Sequence, residues 1–274
     1  FPYLNGEDLN SRPDQSPSRW VINFHDWPLN RSADGCWDDA DEDQRKDWLR
    51  DGRVPADYPG RVAADFPVLL RIVEKHVKPD RAKSKRPNYR DRWWRFAERC
   101  PGLYAAIEGI ERILVGAQTS KFLSISLQPG CGVFSCTTVV FAFGDYPRFT
   151  VLNASWHAEW ILKYCSSLET RLRYFPTDGF ETFPFPDSLT GLDDIGERYY
   201  THRQNIMQTR QEGLTKTYNR FHDPDDTSPD IAELRRLHVE LDQAVAAAYG
   251  WENLDLGHDF HHTKQGLRYT LSEP

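Results

Sequence analysis

The run Ile113-Leu114-Val115-Gly116-Ala117-Gln118-Thr119-Ser120-Lys121-Phe122-Leu123-Ser124-Ile125-Ser126-Leu127, followed after Gln128-Pro129-Gly130 by Cys131 to Phe143, decides the fold class. It is rich in β-branched and aromatic residues, and its turn formers break it into strand-length pieces. Strands are therefore predicted at Ile113 to Val115, Phe122 to Leu127 and Cys131 to Phe143, with a turn at Gln128-Pro129-Gly130. Leu123, Ile125 and Leu127 alternate with Ser124 and Ser126, the period of two of a strand with one wet face. Cys131 and Cys136 fall within one predicted strand and read as small core hydrophobes.

Helical periodicity surrounds this run. Phe66, Leu69, Leu70, Val73 and Val77 recur at spacings of three and four, one stripe of a helix that stops before Pro79. A second helix is predicted from Pro101 through about Arg112. A third runs from Pro147 to Ser166, on Phe149, Leu152, Trp156, Trp160 and Tyr164. Trp20 to Phe24 suits a short buried strand, and Thr170 to Tyr174 a last one. Phe180 to Pro186 is aromatic and proline-rich, either an extended packing strap or a domain seam. Helices at Asp193 to Gly213 and Asp230 to Tyr249 follow, joined by the polar loop Asp223 to Pro229. No internal repeat is visible. The prediction is an α+β fold, a mixed or antiparallel sheet flanked by helices over residues 1–190, with a C-terminal helical element over 191–274 packed on it.

With 39% hydrophobic and 13% aromatic residues in 274, the chain carries more bulky apolar surface than a disordered acidic chain would, and 18 Pro and 17 Gly interrupt any coiled coil. The net charge of −7 conceals an asymmetry. Residues 1–70 hold 8 basic against 14 acidic side chains, a balance of −6, whereas residues 71–99 hold 11 against 4, a balance of +7. Local fields attract polyanions, because a basic patch wider than a Debye length of about 8 Å is felt by phosphate whatever lies on the far face. The acidic run Asp38 to Asp43 reads as a solvated face or a helix N-terminus. Five cysteines form an odd set without a C-x-x-C pair, and there is no secretory signal or membrane-spanning apolar run. A cytoplasmic protein with reduced thiols and no membrane partner is expected. The chain opens on Phe1 rather than Met, so a piece of a longer protein is expected.

Catalytic classes need residues at fixed spacing, and several spacings are missing. There is no G-x-G-x-x-G, no G-x-x-x-x-G-K-[ST], no G-x-S-x-G and no H-E-x-x-H. None of the nine lysines follows an acidic residue by two positions, which removes a common nuclease pair. The Asn/Asp-Pro-Pro-aromatic clamp of amino-group DNA methyltransferases is also missing. No catalytic residue is expected here. His258, His261 and His262 beside Asp255 and Asp259 have helix-like ligand spacing, but such clusters near termini are usually solvated, and no metal site is expected.

The strongest local signal is the basic tract, where Arg81, Lys83, Lys85, Arg86, Arg90, Arg92, Arg95 and Arg99 surround Tyr89, Trp93 and Trp94. Nucleic-acid surfaces combine cations for phosphate with planar groups that buttress or stack. The competing reading is a solvated loop with its Trp pair in the core, where Trp usually resides. Thr119-Ser120-Lys121 is a second candidate, a hydroxyl pair and an ammonium at a strand turn within reach of phosphate.

Pro2 to Leu9, Trp20 to Phe24 with Trp27-Pro28, Arg92-Trp93-Trp94, Ser120-Lys121, Phe183 to Pro186 and Glu212 to His222 together resemble the C-terminal region of MmeI-like (type IIL) restriction-modification enzymes and related adenine-N6 DNA methyltransferases. In that family the region is a target recognition domain plus a helical element, following a methyltransferase domain that uses S-adenosylmethionine. The resemblance implies double-stranded DNA and the parent's methyltransferase domain as partners, a role in phage defence, and no cofactor in this fragment. It implies that Arg81, Lys83, Lys85, Arg86, Arg90, Arg92, Arg95 and Lys121 neutralise phosphates. Lys216, Tyr218, Asn219 and Arg220 either touch the DNA backbone or belong to a loop locking the helical tail to the sheet. A different reading is an interdomain scaffold that docks mainly on protein, through the acidic N-terminal third and the Phe180 to Pro186 strap.

Overall fold

Residues 112 to 117 form a strand buried on both faces. Leu114 joins one apolar cluster, while Ile113 and Val115 join another with Leu4, Leu9 and Ile107. Such a strand reads as a continuous apolar run, as Ile113-Leu114-Val115 does. The computed structural model describes residues 1–97, 99–168, 171–252 and 254–272. In chain order the elements are β1 (Pro2–Leu4), α1 (Gly6–Ser11), β2 (Arg19–Trp20), α2 (Glu42–Asp51), α3 (Pro67–His76), α4 (Lys78–Ala82), α5 (Pro87–Asp91), α6 (Pro101–Ala106), β3 (Arg112–Ala117), β4 (Thr119–Ser120) and β5 (Ile125–Pro129). They continue with β6 (Val133–Phe134), β7 (Thr138–Phe141), α7 (Tyr146–Asn153), α8 (Ser155–Tyr164), β8 (Ser167–Leu168), β9 (Arg171–Arg173), α9 (Asp193–Arg210), α10 (Leu214–Phe221), α11 (Pro229–Ala248), β10 (Asp259–Thr263) and β11 (Gly266–Thr270). The fold is α+β, small antiparallel and mixed sheets flanked by helices.

The chain forms two compact units. The first comprises Phe1 with Val21–Pro101, the second Pro2–Trp20 with everything from Gly102 onward. Neither is cut at residue 190, because α9, α10 and α11 share one apolar cluster with β5, β7 and α7 in the second unit. In that unit β5-β3-β7 is an antiparallel sheet, β4-β9-β8 another, and β2-β1-β6 a mixed one in which β1 runs parallel to β6. The N-terminus is anchored tightly there. Gly6 N–H donates to Thr137 Oγ1, and a Cβ on Gly6 would lie 2.8 Å from the Thr137 carbonyl oxygen, so only glycine fits. Asn5 caps α1, accepting from Glu7 and Asp8 N–H while the Asp8 carboxylate accepts from Asn5 N–H. Asn5→Ala is expected to remove about 1 kcal/mol of stability, seen as a lower urea midpoint with an unchanged m-value.

The first unit is built around Phe24, Ala63, Val73 and Trp94, all buried, with Trp27 stacked on Phe66 at 5.5 Å. Asp41 caps α2 and Glu42 and Asp43 fill its first turn, so the acidic run is a helix N-terminus. The helix ends at Gly52, whose φ of 78° is left-handed and against which the Trp94 ring packs at 2.5 Å from where a Cβ would be. α3 buries Val73 but leaves Val68, Leu69 and Ile72 exposed, so the predicted stripe covers only part of its apolar surface.

Several sequence expectations are corrected. Trp20 to Phe24 is not a buried strand: β2 stops at Trp20, which is 77% exposed, and only Phe24 is buried. The helix expected from 101 to 112 ends at Ala106, and Gly109 turns the chain at a φ of 77° into β3. Pro129 does not begin a turn but pairs with Arg112 as the end of β5. Cys131 and Cys136 are exposed and outside strands. Ser124 and Ser126 do not face water. Ser126 Oγ accepts from Gln15 Nε2 and Ser124 Oγ from Arg203, so the polar face is sealed by polar side chains from distant segments. The helix predicted from 147 to 166 breaks at Ala154, because Ser155 N–H donates to the buried Asp242 carboxylate at 2.7 Å instead of continuing the ladder. Thr217 and its neighbours form a helix, α10, rather than a loop, and the region after residue 255 is a hairpin, not helical. The strand predicted from Thr170 appears as β9 from Arg171; Thr170 lies outside the described residues. The Phe180 to Pro186 strap is internal to the second unit, with Phe183 buried and Phe180 and Phe185 against the same cluster.

Candidate nucleic-acid interface

The basic tract occupies α4, α5 and the turn after them, all in the first unit. Pro79 and Pro87 sit in the first turns of these helices and keep them short, so the charges ride on a compact corner instead of one long helix. The corner uses several of its cations for itself. Arg81 donates to the Arg95 carbonyl at 3.0 Å and lies over the Tyr89 ring. Arg95 is only 6% exposed and donates to the Leu49 carbonyl, and burial pushes its guanidinium down to about 10. Arg95 is thus an internal tie, which corrects its expected place on phosphate. Arg92 is half-buried with Nε on the Arg50 carbonyl. Arg99 pairs with Asp26.

Lys83, Lys85, Arg86 and Arg90 remain exposed. Among the described residues Lys83 and Arg90 make only solvent-facing ion pairs, with Asp80 and Asp91 at 3.3 Å each, and such pairs are readily exchanged for a phosphate. Arg86 donates to the Tyr89 hydroxyl, which holds its guanidinium outward over that ring. Trp94 is in the core and donates to the Trp27 carbonyl, while half-buried Trp93 lies beneath the Lys78 ammonium at 4.6 Å. The pair buttresses the corner. Arg92 and Asn88 also line a cleft of about 570 Å³ with Trp48, Arg50 and Arg53. Arg53 escaped the sequence reading because it sits in the acidic third, and only its approach to Asn88 and Arg92 in space reveals it.

In the second unit the structure brings Lys121 and Asn219 together. Lys121 Nζ donates to Asn219 Oδ1 at 2.6 Å, joining the end of β4 to α10 across 98 positions. Lys216, one turn earlier on α10, is exposed as Asn219 is. Burial, and then Arg268, lower the Lys121 ammonium from its ordinary value. Thr119 and Ser120 pair with Arg173 and Leu172 of β9, and Ser120 Oγ donates to Asn10 Oδ1 at 3.4 Å, so both hydroxyl residues serve the sheet more than an open turn. The segment from Thr215 to His222 divides between its two readings. Tyr218 is buried with its hydroxyl on Tyr199 and Arg203, and Arg220 pairs with Glu212 and Asp226, whereas Lys216 and Asn219 face outward.

The terminal histidines are not gathered as ligands. His258 pairs with Asp242 at 2.9 Å, His261 Nε2 donates to the Gly257 carbonyl, and His262 alternates with it on β10. No group of three or more His, Cys, Asp or Glu suited to a metal ion occurs among the described residues. No helix among them is long and apolar enough to cross a membrane.

No protein-family model matches this chain. No curated protein matches it either. Among solved structures it is similar to the type IIL restriction-modification enzyme MmeI in complex with DNA, with a TM-score of 0.51 and 20% identity over 72% of this chain. The match covers 26% of that chain, so the present sequence spans about a quarter of its length. At this identity the likeness is one of fold.

Proposed function

We propose that this chain is the double-stranded DNA recognition domain of a larger S-adenosylmethionine-dependent adenine-N6 methyltransferase or restriction-modification enzyme. Extruding a target adenine costs a few kcal/mol, and a surface outside the catalytic pocket must hold the flanking duplex in register meanwhile. The observation that carries the reading is the fold likeness to an enzyme solved on DNA, extending over most of the chain. The exposed Lys83, Lys85, Arg86 and Arg90 on one corner support it, since phosphate contacts position a protein on the duplex. Specificity would come from side chains reading base edges, each bidentate pair contributing about 1–3 kcal/mol of discrimination. S-adenosylmethionine and the transfer chemistry belong, in this reading, to the methyltransferase domain of the parent chain.

Duplex binding is expected to weaken with salt. If about four phosphates are neutralised, log K falls with log salt at a slope near −3.6. Filter binding or fluorescence anisotropy at several salt concentrations measures it, and a flat response overturns the proposal.

The exposed apolar face of α3, with Val68 at 68% and Ile72 at 45% accessibility, favours a second reading in which the chain docks on protein. The triple substitution Lys85→Glu, Arg86→Glu and Arg90→Glu separates the two. Loss of in-cell adenine methylation by the full-length parent supports DNA contact; full methylation supports docking.

A further inference from the structure

The second unit gathers unmatched cations around one aromatic ring. Lys121 Nζ and Arg268 Cζ each lie 5.0 Å from the centre of the Phe122 ring, and His222 stacks on that ring at 4.9 Å. Three separate elements supply them: the end of β4, the end of α10 and β11. Among the described residues neither Lys121 nor Arg268 pairs with a carboxylate, unlike Arg198, Arg210, Arg220 and Arg236 elsewhere in this unit. Arg268 gives one N–H to the Leu267 carbonyl, and its buried Nε meets no acceptor among the described residues. Arg268 also lowers the Lys121 ammonium, so the two cations repel each other across this ring without a carboxylate between them among the described residues, and an anion joining them relieves that repulsion.

The neutral groups present are donors as well. Asn219 Oδ1 is occupied by the Lys121 ammonium, and among the described residues the Asn219 amide N–H groups meet no acceptor. His222 Nδ1 accepts from Tyr269 N–H at 3.1 Å. Burial, reinforced by Arg268, pushes His222 well below the ordinary histidine range, so its ring is neutral with the proton on Nε2. Ammonium, guanidinium, amide and imidazole N–H groups therefore surround Phe122, and no acidic acceptor among the described residues is bonded to them. Inorganic phosphate or a phosphodiester, anionic near neutral pH and with several oxygens each able to accept, matches this set.

We infer that Lys121, Asn219, His222 and Arg268 form a phosphate-binding site. The ligand chemistry is a phosphate oxyanion, supplied by the DNA backbone if the proposed function holds, or by free phosphate. The inference rests on that reading only for the source of the phosphate. Arg268 is the new member of the site, alone in the sequence and outside every basic run.

The full chain, with Arg268→Gln, Lys121→Gln and Arg268→Lys, decides it. In duplex titrations each Gln variant is expected to reduce the salt slope by about 0.9 and to weaken every duplex sequence by the same factor, while Arg268→Lys restores the slope. A steep wild-type slope unchanged in both Gln variants overturns the site and leaves the proposed function standing. A flat wild-type slope overturns the proposed function instead, and inorganic phosphate then decides the site. Phosphate-dependent shifts of the His222 ring resonances, lost in Arg268→Gln, support a free-phosphate site; no shift in the wild type overturns it. Thermal unfolding of each variant separates loss of the site from loss of the hairpin fold.

Discussion

Arg203→Ala is expected to remove about 4 kcal/mol of stability, lowering the melting temperature by about 10 °C in a chain of this size. Arg203 is fully buried and no carboxylate among the described residues meets it. One guanidinium nitrogen donates to Ser124 Oγ at 2.9 Å, to Asn153 Oδ1 at 3.2 Å and to the Tyr218 hydroxyl at 3.2 Å, and the other to the Ile125 carbonyl at 2.8 Å. The Phe149 and Tyr199 rings flank the charge at 5.3 and 5.7 Å, which offsets part of its desolvation. Truncation orphans several buried acceptors at about 1–3 kcal/mol each and leaves a cavity, although relaxation shares these costs. Arg203→Lys is expected to recover little, since a single ammonium cannot reproduce a planar fork serving four acceptors. Urea denaturation of both variants checks this. A loss below about 1 kcal/mol in Arg203→Ala would show that the network is dispensable.

The same residue explains what the sequence could and could not reveal. The helices α9 and α11 and the run Ile113-Leu114-Val115 were readable because each is decided by neighbours within one element. Ser124 and Ser126 misled because their partners, Arg203 and Gln15, come from 79 and 111 positions away, and alternation alone cannot distinguish water from a buried guanidinium. The break at Ala154 has a similar origin, since Asp242 competes for the Ser155 N–H from 87 positions down the chain. The terminal hairpin was hidden by its polar composition, though Gly266 at a φ of 99° marks its turn.

For the candidate site, charge density was readable and the availability of individual charges was not. The tract from 81 to 95 announced itself by composition. Which cations the fold consumes depends on backbone carbonyls: that of Leu49 takes Arg95, and that of Arg95 takes Arg81. Carbonyl acceptors carry no sequence signature. Arg268 shows the converse, an isolated cation whose significance arises only from Lys121 and Phe122 beside it.

Between pH 7 and pH 4 the second unit is expected to lose about 3 kcal/mol of stability through His157 alone. This ring is fully buried and no carboxylate among the described residues contacts it. Its Nδ1–H donates to the Leu152 carbonyl at 2.8 Å, and its Nε2 accepts from the Tyr174 hydroxyl at 3.1 Å, an arrangement that satisfies the neutral ring. Burial pushes its pKa down to about 4, against about 6.5 in the unfolded chain. In that window the unfolded state binds a proton that the folded state refuses, so stability falls as pH drops through 6.5 and levels off near 4. At about 1.4 kcal/mol per unit the shift gives the stated loss. His222 and His238, also lowered by burial, add in the same direction, whereas Asp242, held below the ordinary carboxylate range by His238, His258 and Ser155 despite its burial, contributes only at lower pH. His157→Gln keeps a donor and an acceptor without a titrating ring, so it should be less stable than the wild type at pH 7 and shallower in its dependence down to pH 4. Urea midpoints at five pH values distinguish the cases, and a parallel decline in the two proteins would place the acid sensitivity on other groups.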